Sequence, residues 1–566
     1  MKSRPSSHLI ILIAVAALTG ISHYAVHYGA LIRGYETSWM SGARNVGIIL
    51  ILALLPPVFS YIFKFKGNWS VYTACVILFS VGLTVQYRLF SDPEYSLRGP
   101  ERAQARLDKA KTMQLHFVRQ AYDEKKKAML GLPPTPPSRV DVSKEVKRPV
   151  VEDPDAVLKS GRTVAPLIAI LGMILAFALM RYERFLDLLR RNGFLIVLLT
   201  VGLLIFAAVF STAGKFLGEL TPWEPSKIPF LIGFAAVLAA LYRNLERTYW
   251  GLPSGRDVVP LVFMAALPFL PFFLLKDFGQ MMVFSGVYIT LFAIAVRRFA
   301  QRFVLIGGVV AVFTILVIGA LPLNVQEKIP LLPTVARPVK EILPDRIQQR
   351  FHLWIDGFNP PAPDTSWWKR DYEKYYAELV KRNPKLPALV ESNPDLKKSI
   401  NVDAWFDNLA FQPAQATFGL NAGGTWGRGI GLGYVEGIPV ADSDYIYAAI
   451  GEELGLIGGL LVTLALLVLV SGGVRIAIDA RDMFSKLCAA GLTAFLGFQA
   501  LVNIGGITRA LPMTGITLPF VSHGGFSLIT SFVMLGMLMA LSHRNSMDQE
   551  IAADLRENKS SDGDVA

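Results

Sequence analysis

The sequence predicts an all-α polytopic membrane protein with about twelve transmembrane helices. Three observations predict it. Of the 566 residues, 52% are hydrophobic and the mean hydropathy is +0.42, more than the core of a soluble chain requires. Apolar runs of about 20 residues, the length a bilayer core demands, recur along the chain. Short basic turns fall at every second junction between those runs, the pattern of the positive-inside rule.

Residues 1–8 are polar and basic, and the run at about 9–28 has the length of a signal peptide. It lacks an A-x-A cleavage pattern, and a second apolar run at about 46–63 follows closely. Both are read as retained helices, so residues 1–68 form an N-terminal pair of spans. Lys64 and Lys66 mark the turn before a third helix at 69–90. From 91 to 163 the composition changes to Lys, Arg, Glu and Gln and then to LPPTPPS. That segment is read as an extracytoplasmic insertion, an amphipathic helix followed by an extended linker, and its length frees it from the charge rule.

The region 164–322 supplies the next core spans. Runs at about 164–180 and 194–212 enclose RYERFLDLLRRN, those at 227–242 and 258–275 enclose RNLERTYWGLPSGRD, and those at 280–296 and 304–322 enclose RRFAQR. A large extracytoplasmic loop then covers 323–441. The C-terminal helices lie within 442–544: runs at about 446–471 and 487–503 enclose RIAIDARDMFSK, and the last, at 525–541, ends in HRNSMD. A cytoplasmic tail, 545–566, completes the chain. All five basic turns share one face if the N-terminus is cytoplasmic, which places both termini inside. Within the large loop, Trp367, Trp368, Tyr372, Tyr375 and Tyr376 suit either stacking on a sugar or resting among headgroups, the second being commoner.

The net charge of +12 is dispersed over short turns and not gathered on one patch, which argues against nucleic acid as a partner. Cys75 and Cys488 lie in separate apolar runs, so neither a disulfide nor a metal pair is expected. The seven histidines lack zinc-site spacing.

The residues with chemical potential gather in GGTWGRGIGLGYVEGIPVADSDYIYAAIGEELGLIGG, Gly423–Gly459. Asp444 is placed in the first turn of a helix starting near Ser443. There it serves either as a helix-opening carboxylate or as a base for a substrate hydroxyl. Glu452 and Glu453 follow roughly 12–13 Å deeper and are read as structural polar residues paired with neighbouring helices. Arg428, with Gly424, Gly427 and Gly429 around it, is the candidate for an anionic ligand, since glycines let backbone amides approach phosphate oxygens. Lys215, Lys276 and Arg509 fall in other outer segments and could add to one cationic cleft. The stretch from Asn503 to Gly525, NIGGITRALPMTGITLPFVSHGG, interrupts a helix at membrane depth and so predicts a cavity. Ser522 within it joins the candidate substrate contacts, while Asn503 and Asp277 join the structural polar set.

In order and spacing, GGTWGRGIG, IPVADSDYIYAAIGEELGLIGG and NIGGITRALPMTGITLPFVSHGGFSL resemble the signature segments of the SEDS family, the RodA and FtsW group. EPSK at 224–227 resembles the family's QPSE, KDFGQ at 276–280 its PDxGT, and RIQQRF at 346–351 the segment before its outer loop. The likeness runs from about Trp69 to Arg544. It implies a ten-helix SEDS-like core to which the first two helices are additions. It further implies a lipid II-dependent peptidoglycan glycosyltransferase in the bacterial cytoplasmic membrane, serving elongation or division. Such an enzyme joins lipid II into β-1,4-linked glycan at the outer membrane face, with undecaprenyl diphosphate leaving. By the same resemblance Asp444 falls on the family's catalytic aspartate, Arg428, Lys215, Arg509, Gly424, Gly427, Gly429 and Ser522 are candidate contacts to lipid II, and the partner is a class B penicillin-binding protein. A divalent cation, Mg²⁺ or Mn²⁺, is the implied cofactor, with Asp444 a candidate contact and no organic cofactor. Departures from the pattern are Val440, Asp442 and Tyr445 around the aspartate, Lys227 and Phe230 in and after EPSK, and His523 in SHGG. AGKFLGELTPW offers no counterpart to the family's Arg-Trp pair. A lipid II flippase, or a non-catalytic scaffold that activates the penicillin-binding protein, are the alternative readings.

Overall fold

The computed structural model describes residues 5–33, 35–95, 97, 101, 160–210, 223–245, 248–249, 252–253, 255–274, 277–296, six positions between 306 and 318, 344–357 and 359–563. In chain order the helices are α1 (Pro5–Ile32), α2 (Trp39–Ile62), α3 (Ser70–Ser91), α4 (Gly161–Met180), α5 (Glu183–Arg191), α6 (Gly193–Phe210) and α7 (Trp223–Leu245). Next come α8 (Gly255–Ala266), α9 (Phe269–Leu274), α10 (Phe278–Ala295), α11 (Asp345–Ile355), α12 (Lys369–Arg382), α13 (Leu386–Ser392) and α14 (Pro394–Trp405). A π-turn at Phe406–Ala410 leads into α15 (Phe411–Gly423), and α16 (Ile446–Asp479), α17 (Met483–Ile507) and α18 (Gly525–Gly563) follow. Strands β1 (Thr248–Tyr249) and β2 (Leu252–Pro253) pair antiparallel, Thr248 opposite Pro253.

Among the described residues nine helices are long and apolar enough to cross a membrane, or up to ten with the pair Glu183–Arg191 and Gly193–Phe206, which is bent by 71°. The protein is a multi-pass membrane protein. The run at 258–275 is split into α8 and α9 because Pro268 removes a helical donor and disfavours helix at the residue before it. Most of the run at 304–322, and of the insertion at 91–163, lies outside the described residues.

The chain divides into two compact units. The first holds residues 1–181, 419–472 and 517–566. Its helices are joined by polar contacts that a lipid environment makes useful: His8 Nδ1 lies 2.8 Å from Thr73 Oγ1, Thr19 Oγ1 lies 2.7 Å from Ser80 Oγ, and Tyr72 donates to the Leu52 carbonyl at 2.5 Å. Close approach is made with glycine. Gly82 lies against the backbone of Val521, and Gly536 against that of Met173, where a Cβ would collide.

The second unit holds residues 182–418 and 473–516. Here Gly193 and Gly233 bring α6 and α7 together. Lys227, fully buried, donates to both oxygens of Glu224 at 2.9 Å and to Gln499 Oε1 at 3.2 Å, so its three protons are all placed. Gln280 adds a bond to Glu224 at 3.2 Å.

The loop aromatics depart from expectation. Trp367, Trp368 and Tyr372 are buried with Leu386, Ile400 and Trp405 in a small core of their own, with Tyr375 and Tyr376 packed against it. Trp368 is completely buried and donates its indole N–H to Asn401 Oδ1 at 2.9 Å. Those rings fold the extramembrane helices α12–α14 and present no open stacking platform, because helices this short need tertiary burial to persist.

Candidate functional site

The first unit assembles the glycine loop, the Asp442–Asp444 turn and the Val521–Gly524 segment. Helix α16 is not continuous. Gly455 has φ 68° and ψ −167°, which opens the helix nine residues after its start. The loop Gly423–Gly433 repairs the opening. Amides of Arg428 and Gly429 donate to the carbonyls of Glu452 and Glu453 at 3.0 and 2.9 Å, and amides of Leu456 and Ile457 donate to Gly424 and Thr425 at 2.9 and 3.3 Å. A broken membrane helix leaves orphan donors and acceptors, and a protein segment must satisfy them. Positive φ at Gly424, Gly427, Gly429 and Gly431 lets the loop lie flat on the break.

This corrects the reading of the loop as a phosphate cradle. The Arg428 and Gly429 amides are bonded to α16, and that of Gly427 donates to the Gly423 carbonyl at 2.8 Å. The Arg428 side chain remains exposed, with Nε 3.3 Å from the Ala422 carbonyl.

Helix α16 begins at Ile446 and not near Ser443, so Asp444 stands two residues ahead of it, on a turn. Amides of Ser443 and Tyr445 both donate to the Val440 carbonyl, at 3.1 and 3.3 Å. Val440 has φ 54°, a left-handed conformation that a β-branched residue adopts only under constraint. The turn is clasped from the other motif. Ser522 Oγ donates to the Ser443 carbonyl at 2.6 Å while accepting from the Leu518 amide at 2.7 Å. The His523 amide donates to the Asp442 carbonyl at 2.6 Å. Phe520, two residues before Ser522, is likewise at positive φ, 64°. Ser522, a candidate substrate contact by sequence, thus acts on the turn's backbone.

Asp444 is half-buried, and Ser443 Oγ lies 3.4 Å from its Oδ1. The neighbouring Asp442 is held by Tyr95, whose hydroxyl donates to Oδ1 at 2.5 Å and accepts the Asp442 amide at 3.0 Å. Burial, and then the Asp442 charge, push the Tyr95 phenol well above its ordinary range, so it stays a donor. Burial pushes His523 below the usual imidazole value against the attraction of Asp442, with Arg162 and Arg44 acting in the same direction as burial.

Beneath the loop lies a buried charge network that sequence reasoning missed. Arg88 on α3 is fully buried and directs Nε to Glu453 Oε1 at 3.1 Å, Nη1 to Tyr35 and Asp92 at 2.8 and 3.2 Å, and Nη2 to Gly433 O and Glu436 at 3.2 and 2.7 Å. Arg33 also binds Glu436. Glu452 accepts the Tyr434 amide at 2.6 Å. Glu453 pairs with Arg88 on α3, whereas Glu452 holds the loop. The signal available in the sequence was Arg88 and Asp92, oppositely charged four residues apart at the end of an apolar run.

Carboxylate oxygens of Asp92, Glu94 and Glu436 lie within 4.8 Å of one another. They do not suit a divalent cation as they stand, because Asp92 and Glu436 already bind guanidinium groups, and Asp444 is not among them.

Other candidates belong to the second unit. Arg509, at φ 60°, donates to the Leu353 carbonyl at 3.2 Å and accepts the Trp354 indole at 3.0 Å, which ties it to α11. Asn503 donates to the Ile516 carbonyl at 2.6 Å and Asp277 caps α10 by accepting the Gln280 amide at 3.2 Å. Lys215 and Lys276 lie outside the described residues.

The family model described as a cell cycle protein, of the FtsW, RodA and SpoVE type, matches residues 398–547, the stretch that contains loop, turn and clasp. Over that stretch the chain is similar to this family. Among the proteins this chain resembles, the peptidoglycan glycosyltransferase RodA of Mycobacterium tuberculosis is 28% identical over 330 residues, 57% of this chain and 56% of that protein. The probable peptidoglycan glycosyltransferase FtsW of Geobacter metallireducens is 41% identical over 147 residues, 25% of this chain and 39% of that protein. Stage V sporulation protein E of Bacillus subtilis is 38% identical over 160 residues, 27% of this chain and 44% of that protein. The chain thus spans about half the length, 56%, of the first relatives it matches. A chain of a solved peptidoglycan synthase complex aligns with a TM-score of 0.46 at 21% identity, over 69% of this chain and 91% of that one.

Proposed function

We propose that this chain is a SEDS-type peptidoglycan glycosyltransferase that polymerises lipid II at the outer face of the cytoplasmic membrane, beside a class B penicillin-binding protein. The observation that carries the reading is the clasp. Ser522 and His523 fasten the Asp442–Asp444 turn through two backbone bonds of 2.6 Å. Both segments belong to the stretch matched by the family model, and each carries a residue at strained positive φ. Such strain persists where surrounding contacts hold a functional geometry.

In the proposed reaction the Asp444 carboxylate accepts the proton of the acceptor sugar hydroxyl. The oxygen then bonds to the anomeric carbon of the donor, and the bond from that carbon to the diphosphate breaks, releasing undecaprenyl diphosphate. Arg428, exposed beside the same turn-and-loop segment, is the proposed cation for the departing diphosphate.

The test is purified protein given labelled lipid II, with and without its partner, and products resolved by gel. A ladder of glycan polymers is expected. Lipid II crossing a proteoliposome bilayer without polymer would replace the reading with a flippase.

A further inference from the structure

The start of α2, the end of α3 and the start of α4 line a polar cavity that the proposed reaction does not use. It has a volume of about 150 Å³ and is lined by Glu36, Ser38, Arg44, Gln86, Phe90 and Arg162 among others. Two guanidinium groups thus face it against one carboxylate.

Arg44 is held by a relay of buried groups. Its Nε donates to Asn45 Oδ1 at 3.0 Å, Asn45 Nδ2 donates to His23 Nε2 at 3.1 Å, and His23 Nδ1 donates to the Thr19 carbonyl at 2.8 Å. The carbonyl fixes Nδ1 as the protonated nitrogen, which leaves Nε2 to accept from the amide and orients Asn45 with its oxygen toward Arg44. The Arg162 guanidinium lies 3.5 Å from the centre of the Phe90 ring. Both cations are therefore preorganised.

The cavity's depth is set by helix ends. Ser38 caps the start of α2, Ser91 closes α3 and Arg162 opens α4, so three spanning helices begin or end around it. Headgroups occupy that level of a bilayer. Trp39 and Met40, 68% and 41% exposed, stand at the same level, and Leu50 and Leu54 continue an exposed apolar face down α2 for acyl chains.

We propose that this cavity binds the headgroup of a phospholipid carrying a primary ammonium, phosphatidylethanolamine in kind. The phosphodiester lies against Arg44 and Arg162, and the ammonium lies against Glu36.

The experiment is native mass spectrometry of the full chain released from detergent with added phosphatidylethanolamine or phosphatidylglycerol. Wild type is expected to retain phosphatidylethanolamine in preference, and Arg44→Ala or Arg162→Ala to weaken it about tenfold, equivalent to about 1.4 kcal/mol. Glu36→Gln is expected to lose phosphatidylethanolamine while gaining phosphatidylglycerol, a reciprocal change that unfolding does not produce. Equal retention of the two lipids by wild type, or undiminished phosphatidylethanolamine in the Arg44→Ala/Arg162→Ala variant, overturns the proposal. Displacement of the lipid by millimolar inorganic phosphate also overturns it, assigning the cavity to a free anion.

Discussion

Replacing Arg88 tests what holds the glycine loop in place. A guanidinium has five N–H donors, and the five acceptors around it are Glu453, Tyr35, Asp92, Gly433 O and Glu436. Arg88→Met removes all five bonds and leaves three buried carboxylates with Arg33 as the cation recorded beside two of them. Removing one partner of a buried ion pair costs about 3–5 kcal/mol, because the orphaned charge stays desolvated. Arg88→Lys retains the charge but has three donors, so at least two bonds are lost, at about 1.5–3 kcal/mol for each one made to a charged group. In the double variant Arg88→Met/Glu453→Gln one orphaned carboxylate is gone, and about 1–3 kcal/mol should return. Unfolding in detergent, followed by tryptophan fluorescence, gives the order wild type, Arg88→Lys, Arg88→Met, with the double variant above Arg88→Met. Arg88→Met unfolding at the wild-type midpoint, or a double variant weaker than the single, would refute the reasoning.

Gly424→Ala should cost about 1–2 kcal/mol from its positive φ alone, since nothing lies within 4 Å of its Cβ position. Gly427→Ala should cost more, because the added carbon meets the Glu453 carbonyl, and the same fluorescence assay ranks the two. Trp368→Ala removes the centre of the α12–α14 core and should cost that region about 3–5 kcal/mol, read as new protease cuts between 359 and 410 while the membrane helices stay intact. His523 is half-buried and desolvation holds its imidazole below the ordinary value, so the unfolded state takes up its proton first. Its contribution is therefore whole above pH 6.5 and falls as pH drops below it; His523→Gln should flatten that part of the stability profile, and an unchanged slope would contradict the burial argument.

The spans were legible because a bilayer imposes length and polarity on each of them; the nine apolar helices all overlap predicted runs, while α2 starts earlier at Trp39 and α16 and α18 run on past the predicted ends to Asp479 and Gly563. What hydropathy could not show was the break inside α16, since Gly455 sits in an apolar window and only the loop that repairs it reveals its conformation. Glycine spacing suggested an anion cradle, yet the same amides serve a broken helix equally well, and the hydrogen bonds decide between the two. A single charge near a helix end reads as an interfacial anchor, and two of the three carboxylate partners of Arg88, Glu453 and Glu436, arrive from more than 340 residues away. Lys227, a departure from the QPSE pattern that EPSK resembles, is neutralised by Glu224 of the same segment at 2.9 Å.

The central claim is that Asp444, and not its neighbour, carries the proton transfer. Purified Asp444→Asn and Asp442→Asn variants, matched for folding and incubated with labelled lipid II, separate the two carboxylates. Asp444→Asn is expected to form no glycan ladder, while Asp442→Asn retains polymerisation at a reduced rate through its contacts to Tyr95. A wild-type ladder from Asp444→Asn would contradict the account.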